Sequence, residues 1–454
     1  MVTKITFHGG VNEIGGNKIL VEDGDSKIFL DFGKNFGQES VYFNSPYIVA
    51  REESDLLEFG ILPHIKGLYK KDGNECDVDA IFLSHAHMDH YDSIRFIKDC
   101  SPIHCGETAM NIILGREFSG TSIGEDYVIS KMTVRDGVTI NKKFAPFRTG
   151  SIIQDFSPLE ITPVHVDHSI PGSYGFLVES SNANIVYSGD LRMHGPRSDL
   201  TADFIKKSKE FEPDIMIIEG THIDYSSVES ESDVKQKIER LVTGTKGIVL
   251  CGCSSTDIDR LRTLYEVAIS QGRKLAISMK QASIIYQLRK DSGLSLFNLN
   301  DEYIRIYQKD KKTMRLYEKI IVGAYGNNVI DAGLVGKNNR EFMMVATLYD
   351  MAEMIDIKPV PGSIYILASA EAFNEEMEIQ QDKLLNWLNH YGIPVYHIHA
   401  SGHANAQDLK NMIEEICPRK VFPVHTQFPE LFKKFMGDIG IDIELPKVAT
   451  PVIV

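Results

Sequence analysis

The segment Ser84–His90, with the sequence S-H-A-H-M-D-H, constrains this chain more than any other feature. It follows the apolar run AIFL at 80–83, which predicts a strand that ends in a polar turn. Side chains alternate along a strand, so His85 and His87 would share one face, and the turn would direct Asp89 and His90 to a second position close by. Imidazole and carboxylate groups at this spacing predict two neighbouring divalent metal ions. Zn²⁺ is favoured, and Mn²⁺ is the alternative.

Three further strand ends offer ligands for such a site. His168, in PVHVDHSIPGS, is predicted as the third ligand of the first metal. Asp190 closes ANIVYSGD and would bridge the two metals, and His425 closes VFPVHT and would complete the second. The plain structural alternatives are a turn residue for Asp190 and an ordinary loop histidine for His425.

Two other strand ends carry candidate catalytic groups. Glu219 closes DIMIIEG, and His403 lies in HASGHA. We expect His403 to act as a general acid oriented by Glu219, with Asp89 as a further catalytic residue. A glycine-containing turn after a strand can also present backbone N–H groups to a phosphate. The predicted phosphate- or RNA-binding residues are therefore His399, Ser401, Gly402, His403 and Ala404.

The order of apolar runs predicts an α/β fold with layers of sheets and helices. Short strand-like runs fill the first 205 residues, with helical spacing over 91–100. From about 205 strands and helices alternate, and a helix is predicted over 230–244 between a serine and a glycine. A chain of 454 residues suggests two domains, or one domain with a large insertion.

The net charge of −15 does not favour a nucleic-acid-binding protein. The charge is unevenly spread, however, because residues 201–330 contain 20 Lys and Arg against 18 Asp and Glu. No apolar run is long enough for a membrane span, and the N-terminus lacks a signal-peptide core, so a cytoplasmic protein without membrane partners is predicted. The six scattered cysteines are expected to be reduced thiols.

Together these motifs resemble the β-CASP branch of the metallo-β-lactamase superfamily, in particular ribonuclease J-like proteins of archaeal type. The resemblance is carried by GGVNEIGGN at 9–17, HAHMDH at 85–90, HSIPGSYG at 168–175, GD at 189–190, Glu219, HASGHA at 399–404 and PVHT at 423–426. It implies a metallo-β-lactamase αββα sandwich at 1–205 and 376–454, interrupted by an α/β β-CASP domain at 206–375.

The resemblance also implies a function. It points to a metal-dependent ribonuclease of RNA processing and decay, acting as a 5′-to-3′ exonuclease with endonuclease action as a second mode. The expected substrate is single-stranded RNA with a 5′-monophosphate, and the expected assembly is a homodimer. The Gly-rich segment of ribonuclease J is replaced around ATLYDM at 346–351. The alternatives are a small-molecule metallohydrolase such as a lactonase, an inert RNA-binding subunit, and a nuclease acting on DNA.

Overall fold

The computed structural model describes residues 2–44, 47–120, 128–133, 137–225, 229–291, 293–368 and 375–454. In chain order its strands are β1 (Thr3–Gly9), β2 (Lys18–Asp23), β3 (Ser26–Phe32), β4 (Ala80–Leu83), β5 (Ile103–Gly106), β6 (Ile129–Thr133), β7 (Gly137–Ile140), β8 (Phe144–Phe147), β9 (Ile153–Phe156), β10 (Leu159–Val166), β11 (Ser173–Glu179), β12 (Asn184–Tyr187), β13 (Ile215–Glu219), β14 (Val249–Gly252), β15 (Lys274–Ser278), β16 (Ile304–Tyr307), β17 (Val329–Ile330), β18 (Phe342–Val345), β19 (Ile364–Leu367), β20 (Val395–His397), β21 (Lys420–Val424), β22 (Asp442–Ile443) and β23 (Pro451–Ile453).

The helices are α1 (Phe36–Tyr42), α2 (Glu53–Glu58), α3 (Met88–Tyr91), α4 (Glu107–Ser119), α5 (Ser198–Glu210), α6 (Glu231–Gly244), α7 (Ile258–Ser270), α8 (Met279–Leu288), α9 (Leu316–Tyr325), α10 (Ala332–Lys337), α11 (Met354–Ile357), α12 (Glu375–His390), α13 (Ala406–Ile416) and α14 (Pro429–Phe435). The helix predicted over 91–100 is wrong. α3 ends at Tyr91, and the chain tightens into a 3₁₀ turn at Asp92–Phe96.

Two seven-stranded sheets pack face to face and form the main core. Their orders are β23-β1-β2-β3-β4-β5-β8 and β22-β21-β13-β12-β11-β10-β9. Aromatic rings join the two inner faces, with 5.4 Å between the ring centroids of Phe7 and Phe422. Helices α5, α13 and α14 cover the outer face of the second sheet, and α3 and α4 lie on the outer side of the first. This is the predicted αββα sandwich.

A third sheet, in the order β17-β16-β15-β18-β14-β19-β20, forms the inserted domain. Its chain leaves the sandwich after β13 and returns to it at α13 and β21, although β13 and β21 are paired neighbours in parallel. Sheet membership differs from the predicted bounds of 206–375 at both ends. β13 pairs within the second sheet, and β20 pairs with β19 in the third.

Two of the strands that lead to the candidate site are buried along their whole length. Every residue of β4 and of β13 is buried, because parallel neighbours flank both strands and both sheet faces are covered. The carboxyl ends of β4, β12, β13 and β21 therefore meet at one edge of the sandwich. Within the described part of the chain, no helix is long and apolar enough to cross a bilayer.

One cysteine prediction is wrong. Cys76 and Cys100 form a disulfide with a Cα–Cα distance of 6.4 Å, which joins the segments before β4 and before β5. Their spacing of 24 residues carries no recognisable motif, so only the fold reveals the pair. The remaining four cysteines are free thiols, and Cys105, Cys251 and Cys253 among them are buried.

Candidate metal centre

The histidine-rich turn after β4 presents its side chains to the edge where the strands meet. His85 and His90 are fully buried, whereas His87 and Asp89 are partly exposed. His87 is the residue before α3, so the helical turn that begins at Met88 carries Asp89 and His90 away from the first pair. The local structure thus separates the four side chains into two pairs, as their spacing predicts.

The first donor set combines three imidazoles and one carboxylate. Nε2 of His85 and Nε2 of His168 each lie 3.0 Å from Nδ1 of His87. Oδ2 of Asp190 lies 3.6 Å from Nε2 of His85 and 3.9 Å from Nε2 of His168. All four atoms lie within 4.8 Å of one another. They enclose a common point to which each can present a lone pair.

The second donor set shares Asp190 with the first. Nε2 of His90 lies 3.1 Å from Oδ2 of Asp190, and Nε2 of His425 lies 3.8 Å from the same oxygen. Asp89 closes the set, with its Oδ2 3.2 Å from Nε2 of His425 and 3.9 Å from Nε2 of His90. The structure therefore brings together all seven predicted ligand residues, with Asp190 between the two sets.

The chemistry of these donors fits divalent metal ions. Ligands at 2.0–2.1 Å from a tetrahedral Zn²⁺ stand about 3.3 Å apart, which is close to the separations in both sets. Nε2 of His90 and Oδ1 of Asp190 are buried and have no hydrogen-bond partner among the described residues. Unpaired buried polar atoms are costly unless something else satisfies them. Metal ions at the two points would do so.

Burial and neighbouring charges set the protonation of the ligands. Burial, with repulsion from the adjacent imidazoles, holds the pKa values of His85 and His168 well below their ordinary range. Burial likewise lowers the pKa of His87 to about 4. These rings are therefore neutral at pH 7, which is the form that binds a metal. Against burial, which raises it, the surrounding histidines hold the pKa of Asp190 well below its ordinary value.

Asp31, which the sequence analysis missed, holds the second donor set in place. Its Oδ2 accepts hydrogen bonds from Nδ1 of His90 at 2.7 Å, from the Tyr187 hydroxyl at 2.6 Å and from the Ser84 hydroxyl at 2.8 Å. Burial lowers the pKa of His90, but the carboxylates of Asp190 and Asp31 outweigh burial and raise it well above its ordinary value. A carboxylate behind a ligating histidine orients the ring and increases its basicity. The buried Asp in the apolar run KIFLDFG was the available signal.

The opening loop at 9–17 braces both sides of the second set. The Asn17 N–H donates to the Asp89 carbonyl at 3.2 Å, and the Gly10 carbonyl accepts from the His425 N–H at 2.7 Å. A Cβ at Gly15 would lie 2.7 Å from Cβ of Asp89, so only glycine fits there. His425 has a positive φ of 53°, a strained conformation that often marks functional sites.

The predicted His403–Glu219 pair is present beside the metal donors. Nδ1 of His403 lies 3.0 Å from Oε2 of Glu219 and 3.9 Å from Oδ2 of Asp190. Burial disfavours the charged ring, but the Glu219 carboxylate outweighs it and raises the pKa of His403 to about 9. Glu219 is itself fixed by the N–H groups of Leu191 and Thr221. The pair can therefore hold a proton beside the metal donors.

The turn at 400–404 is built differently from the predicted phosphate cradle. The His403 N–H donates to the Ser401 hydroxyl at 3.0 Å, and the Ala404 N–H donates to the Leu191 carbonyl at 2.8 Å. These two N–H groups are therefore occupied within the protein. The Gly402 carbonyl accepts a hydrogen bond from Nδ1 of His168, which ties the turn to the first donor set. Within this turn, a phosphate could be bound only by polar groups other than these three.

Three histidines surround this turn. Nε2 of His194 donates to the Ser401 carbonyl at 2.8 Å, and the ring centroid of His222 lies 5.6 Å from that of His403. Burial lowers the pKa of the predicted binding residue His399 to about 3. The positions of His194 and His222 could not be predicted from the sequence, because neither has ligand spacing to another histidine. Both come from loops that approach His403 only in the folded chain.

Comparisons with known proteins agree with this geometry. Residues 70–242 match the model of the beta-lactamase superfamily domain, and residues 393–446 match that of the Zn-dependent metallo-hydrolase RNA specificity domain. A crystal structure of a protein of unknown function from Enterococcus faecalis V583 superimposes with a TM-score of 0.78 at 22% identity, covering 100% of both chains. The fold and the site thus define a metal-dependent hydrolase of the metallo-β-lactamase superfamily.

Curated relatives narrow the class. Ribonuclease J of Mycoplasma genitalium is 24% identical over 97% of this chain and 71% of its own length. Ribonuclease J 2 of Streptococcus pyogenes is 22% identical over 96% of this chain and 72% of its own. Ribonuclease J of Helicobacter pylori strain J99 is 25% identical over 94% and 56%. These relatives and the two domain matches support a ribonuclease J-like protein of the β-CASP branch.

Proposed function

We propose that this chain is a metal-dependent ribonuclease that hydrolyses single-stranded RNA at a two-zinc centre. The observation that carries the proposal is the convergence of both donor sets on Oδ2 of Asp190, directly beside the His403–Glu219 pair. The segment that matches the RNA specificity domain contains both His403 and His425. The same part of the chain would therefore complete the metal site and select the substrate.

His85, His87 and His168 would hold the first ion, and Asp89, His90 and His425 the second, with Asp190 between them. Bound there, the ions would lower the pKa of a water molecule and offset the charge of the phosphate. His403 is placed to hold a proton at Nε2 while Nδ1 is fixed by Glu219. It would pass that proton to the departing oxygen, which is general acid catalysis. The partly exposed His403 and Asp89 form the open side of the site.

The test is an RNA cleavage assay on the purified protein. Single-stranded RNA carrying a 5′-monophosphate, labelled at either end, is incubated with Zn²⁺, with Mn²⁺ and with a chelator. Metal-dependent release of mononucleotides from the 5′ end is expected. Internal fragments would assign the protein to endonucleases instead. Intact RNA under all metals, with hydrolysis of a lactone, would overturn the proposal in favour of a small-molecule hydrolase.

The finer parts of the proposal come from the family resemblance. They are 5′-to-3′ exonuclease action with endonuclease action as a second mode, the preference for a 5′-monophosphate, and a homodimer. A role in RNA processing and decay and a cytoplasmic location belong with them. Sedimentation analysis of the purified chain tests the homodimer directly, since a mass of 51.0 kDa would indicate a monomer.

A further inference from the structure

A cavity of about 190 Å³ adjoins the histidine-rich turn after β4. Met88, from within the turn itself, and Tyr91 form part of its wall. The other walls come from α4 of the sandwich and α8 of the inserted domain, which pack closely, since a Cβ at Gly115 would lie 3.3 Å from Cα of Ile284. The cavity therefore lies at the junction of the two domains.

Basic side chains dominate this cavity. Lys34, Arg95, Arg116 and Lys280 line it, opposed by the two acids Asp92 and Glu117. We call this set of four cations and two acids the basic pocket. Its excess of positive charge contrasts with the net charge of −15 on the whole chain. A concentration of cations in an acidic protein is the electrostatic signature of a site for an anion.

Two of the cations are not neutralised by a direct partner. Among the described residues, neither Arg116 nor Lys280 has a carboxylate within ion-pair distance, whereas Lys34 pairs with Glu39 at 2.7 Å. Partial burial, followed by repulsion from Arg116, lowers the pKa of the Lys280 amine. The Glu117 carboxylate opposes this shift, and Arg315 adds to it. The two acids offset only part of the positive charge of the four cations, and an anion would relieve the repulsion that remains.

The positive charge continues away from the metal centre. Arg315 belongs to the basic stretch QKDKKTMR at 308–315, which the proposed mechanism does not use. The guanidinium of Arg315 repels the Lys280 amine electrostatically, and Arg116 of α4 repels the same amine. Arg116 is close enough to His87 to contribute to the lowered pKa of that ring. Cations thus extend from the first donor set, through the basic pocket, to the surface of the inserted domain.

We infer that the basic pocket binds a phosphate group of a nucleotide. Arginine offers a planar fork of donors that matches phosphate oxygens, and lysine a mobile point charge. The cavity is smaller than the roughly 300–1,000 Å³ of pockets that enclose a whole small ligand. The phosphate enters, and the base remains outside. This inference rests on the proposed function and adds a subsite to it. The phosphate is either part of the RNA chain beyond the cleaved bond or that of a released nucleoside monophosphate.

Binding to the metal-loaded, full-length protein tests the inference without requiring cleavage. The probes are a 5′-phosphorylated oligoadenylate with phosphorothioate linkages, which resists hydrolysis, and adenosine 5′-monophosphate. The variants are Lys280→Gln, Arg116→Gln and their combination. The Lys280 side chain reaches solvent at the rim of the partly enclosed pocket, so its substitution is expected to leave the fold intact. The matched control is Lys290→Gln, which removes the same charge from the exposed segment just beyond α8.

The double variant is expected to bind one probe roughly tenfold more weakly, because a hydrogen bond to a charged group is lost. For a chain phosphate, affinity for the oligoadenylate falls and its salt dependence decreases by about 1 in slope. For a released nucleotide, only the affinity for adenosine 5′-monophosphate falls. Either result supports the inference.

Affinities equal to those of Lys290→Gln for both probes would overturn the inference. In that case the wild type still binds and cleaves RNA, so the proposed function stands. A wild-type protein that neither binds nor cleaves RNA would instead overturn the proposed function, and the inference with it. The two failures are therefore distinguishable.

Discussion

At the scale of single residues, the candidate centre depends on groups that stand behind the ligands. Asp31 accepts four hydrogen bonds, from the Ser84 N–H, the Ser84 hydroxyl, His90 and Tyr187. It is fully buried, and its φ is +59°. The strained backbone of Asp31 and its four hydrogen-bond donors together hold the carboxylate in a single orientation. We expect it to determine how His90 meets a metal.

Replacing Asp31 with Asn tests this role. Asn keeps the shape of Asp but replaces one acceptor oxygen with an NH2 donor, so the set of four hydrogen bonds cannot form. His90 then loses its fixed orientation. Zinc affinity of one site per chain should fall about 10- to 100-fold. Bound zinc is measured by elemental analysis after dialysis against buffers of graded free Zn²⁺. Asp203→Asn, on the surface helix α5, is the control and should not change the affinity. Equal affinity in Asp31→Asn would contradict the assignment.

His403 and Glu219 allow a second test, because they too could be ligands. With Asp190 and His425 they form a cluster whose donor atoms lie within 4.8 Å. If His403 is a general acid, His403→Ala lowers kcat about 10²- to 10⁴-fold and leaves bound zinc unchanged. Glu219→Gln should act in the same direction. His390→Ala, at the exposed end of α12, serves as the control. Loss of zinc in step with activity would make the pair ligands instead.

Glu117 introduces a pH dependence into the basic pocket. Burial and the nearby Asp92 raise its pKa to about 7, although Arg95, Arg116 and Lys280 oppose the rise. Below that pH the carboxyl is neutral, and above it a negative charge repels phosphate. RNA should therefore bind more tightly at pH 6 than at pH 8. Glu117→Gln should bind tightly at both, as measured by fluorescence anisotropy. An unchanged pH profile in the variant would refute this.

The convergence of the seven candidate metal ligands could be predicted because they follow the ends of four strands, β4, β10, β12 and β21, whose carboxyl ends meet at one edge. Asp31, His194 and His222 could not. Their partners lie 59 residues away for Asp31 and 207 for His194, at separations that no local spacing encodes. The use of the His403 and Ala404 N–H groups was likewise hidden, because their acceptors are set by how the turn packs.

At the scale of elements, local signals were reliable where the surroundings did not compete. The helix predicted over 230–244 is α6, with Ser230 as its N-cap in a reciprocal capping box with Asp233. The helix predicted over 91–100 failed because tertiary contacts prevail there. The Ser93 hydroxyl donates to the Gly33 carbonyl, and Asp92 is buried in the wall of the basic pocket. The predicted domain bounds do not coincide with sheet membership, since β13 pairs in the second sheet and β20 pairs in the third.

A buried arginine joins the elements of both domains. The guanidinium of Arg192 lies 2.9 Å from Asp259 of α7, 3.3 Å from Glu231 of α6 and 3.4 Å from Asp167. It also donates to the Ser401 carbonyl at 3.4 Å, beside the His403 turn. Arg192 therefore ties the inserted domain to the turn that carries the candidate acid. Burial raises the pKa of Asp259 to about 7, although Arg192 opposes the rise. Loss of Arg192 would therefore disfavour the charged form of this carboxyl group further.

Arg192→Met should destabilise the protein strongly, because three acidic groups lose their common partner in a buried setting. Removing one side of a buried ion pair costs about 3–5 kcal/mol. The midpoint of thermal unfolding reports the loss. Arg419→Met is a suitable comparison, since that arginine pairs with Asp214 at 3.0 Å but is 85% exposed, and surface substitutions usually change stability little. Equal midpoints for the two variants would contradict a structural role for Arg192.

At the scale of the whole molecule, the chain is acidic, whereas positive charge is concentrated near the candidate site. The acidic chain as a whole repels RNA, and the cations near the domain junction provide local attraction. The Cys76–Cys100 disulfide joins the segments before β4 and before β5 of the sandwich. Disulfides are uncommon in reducing compartments, so this pair conflicts with the predicted cytoplasmic location.

Counting thiols resolves that conflict. The unfolded, unreduced protein should give four thiol equivalents with a thiol reagent, because two of its six cysteines are paired. After reduction the count should rise to six. Six equivalents before reduction would show that the pair is open in the isolated protein and would favour the cytoplasmic location. The variant Cys417→Ser, which lacks an exposed free thiol, should give one equivalent fewer in both states.

The position of the inserted domain determines the order in which the parts of the sandwich can assemble during synthesis. One edge of β13 has no partner strand until β21 has been synthesised. One edge of β1 likewise has no partner strand until β23 has been synthesised. His425 follows β21, so the second donor set is the last part of the centre to be completed. β21 follows the inserted domain in the chain, so the second donor set can be completed only after that whole domain has been synthesised.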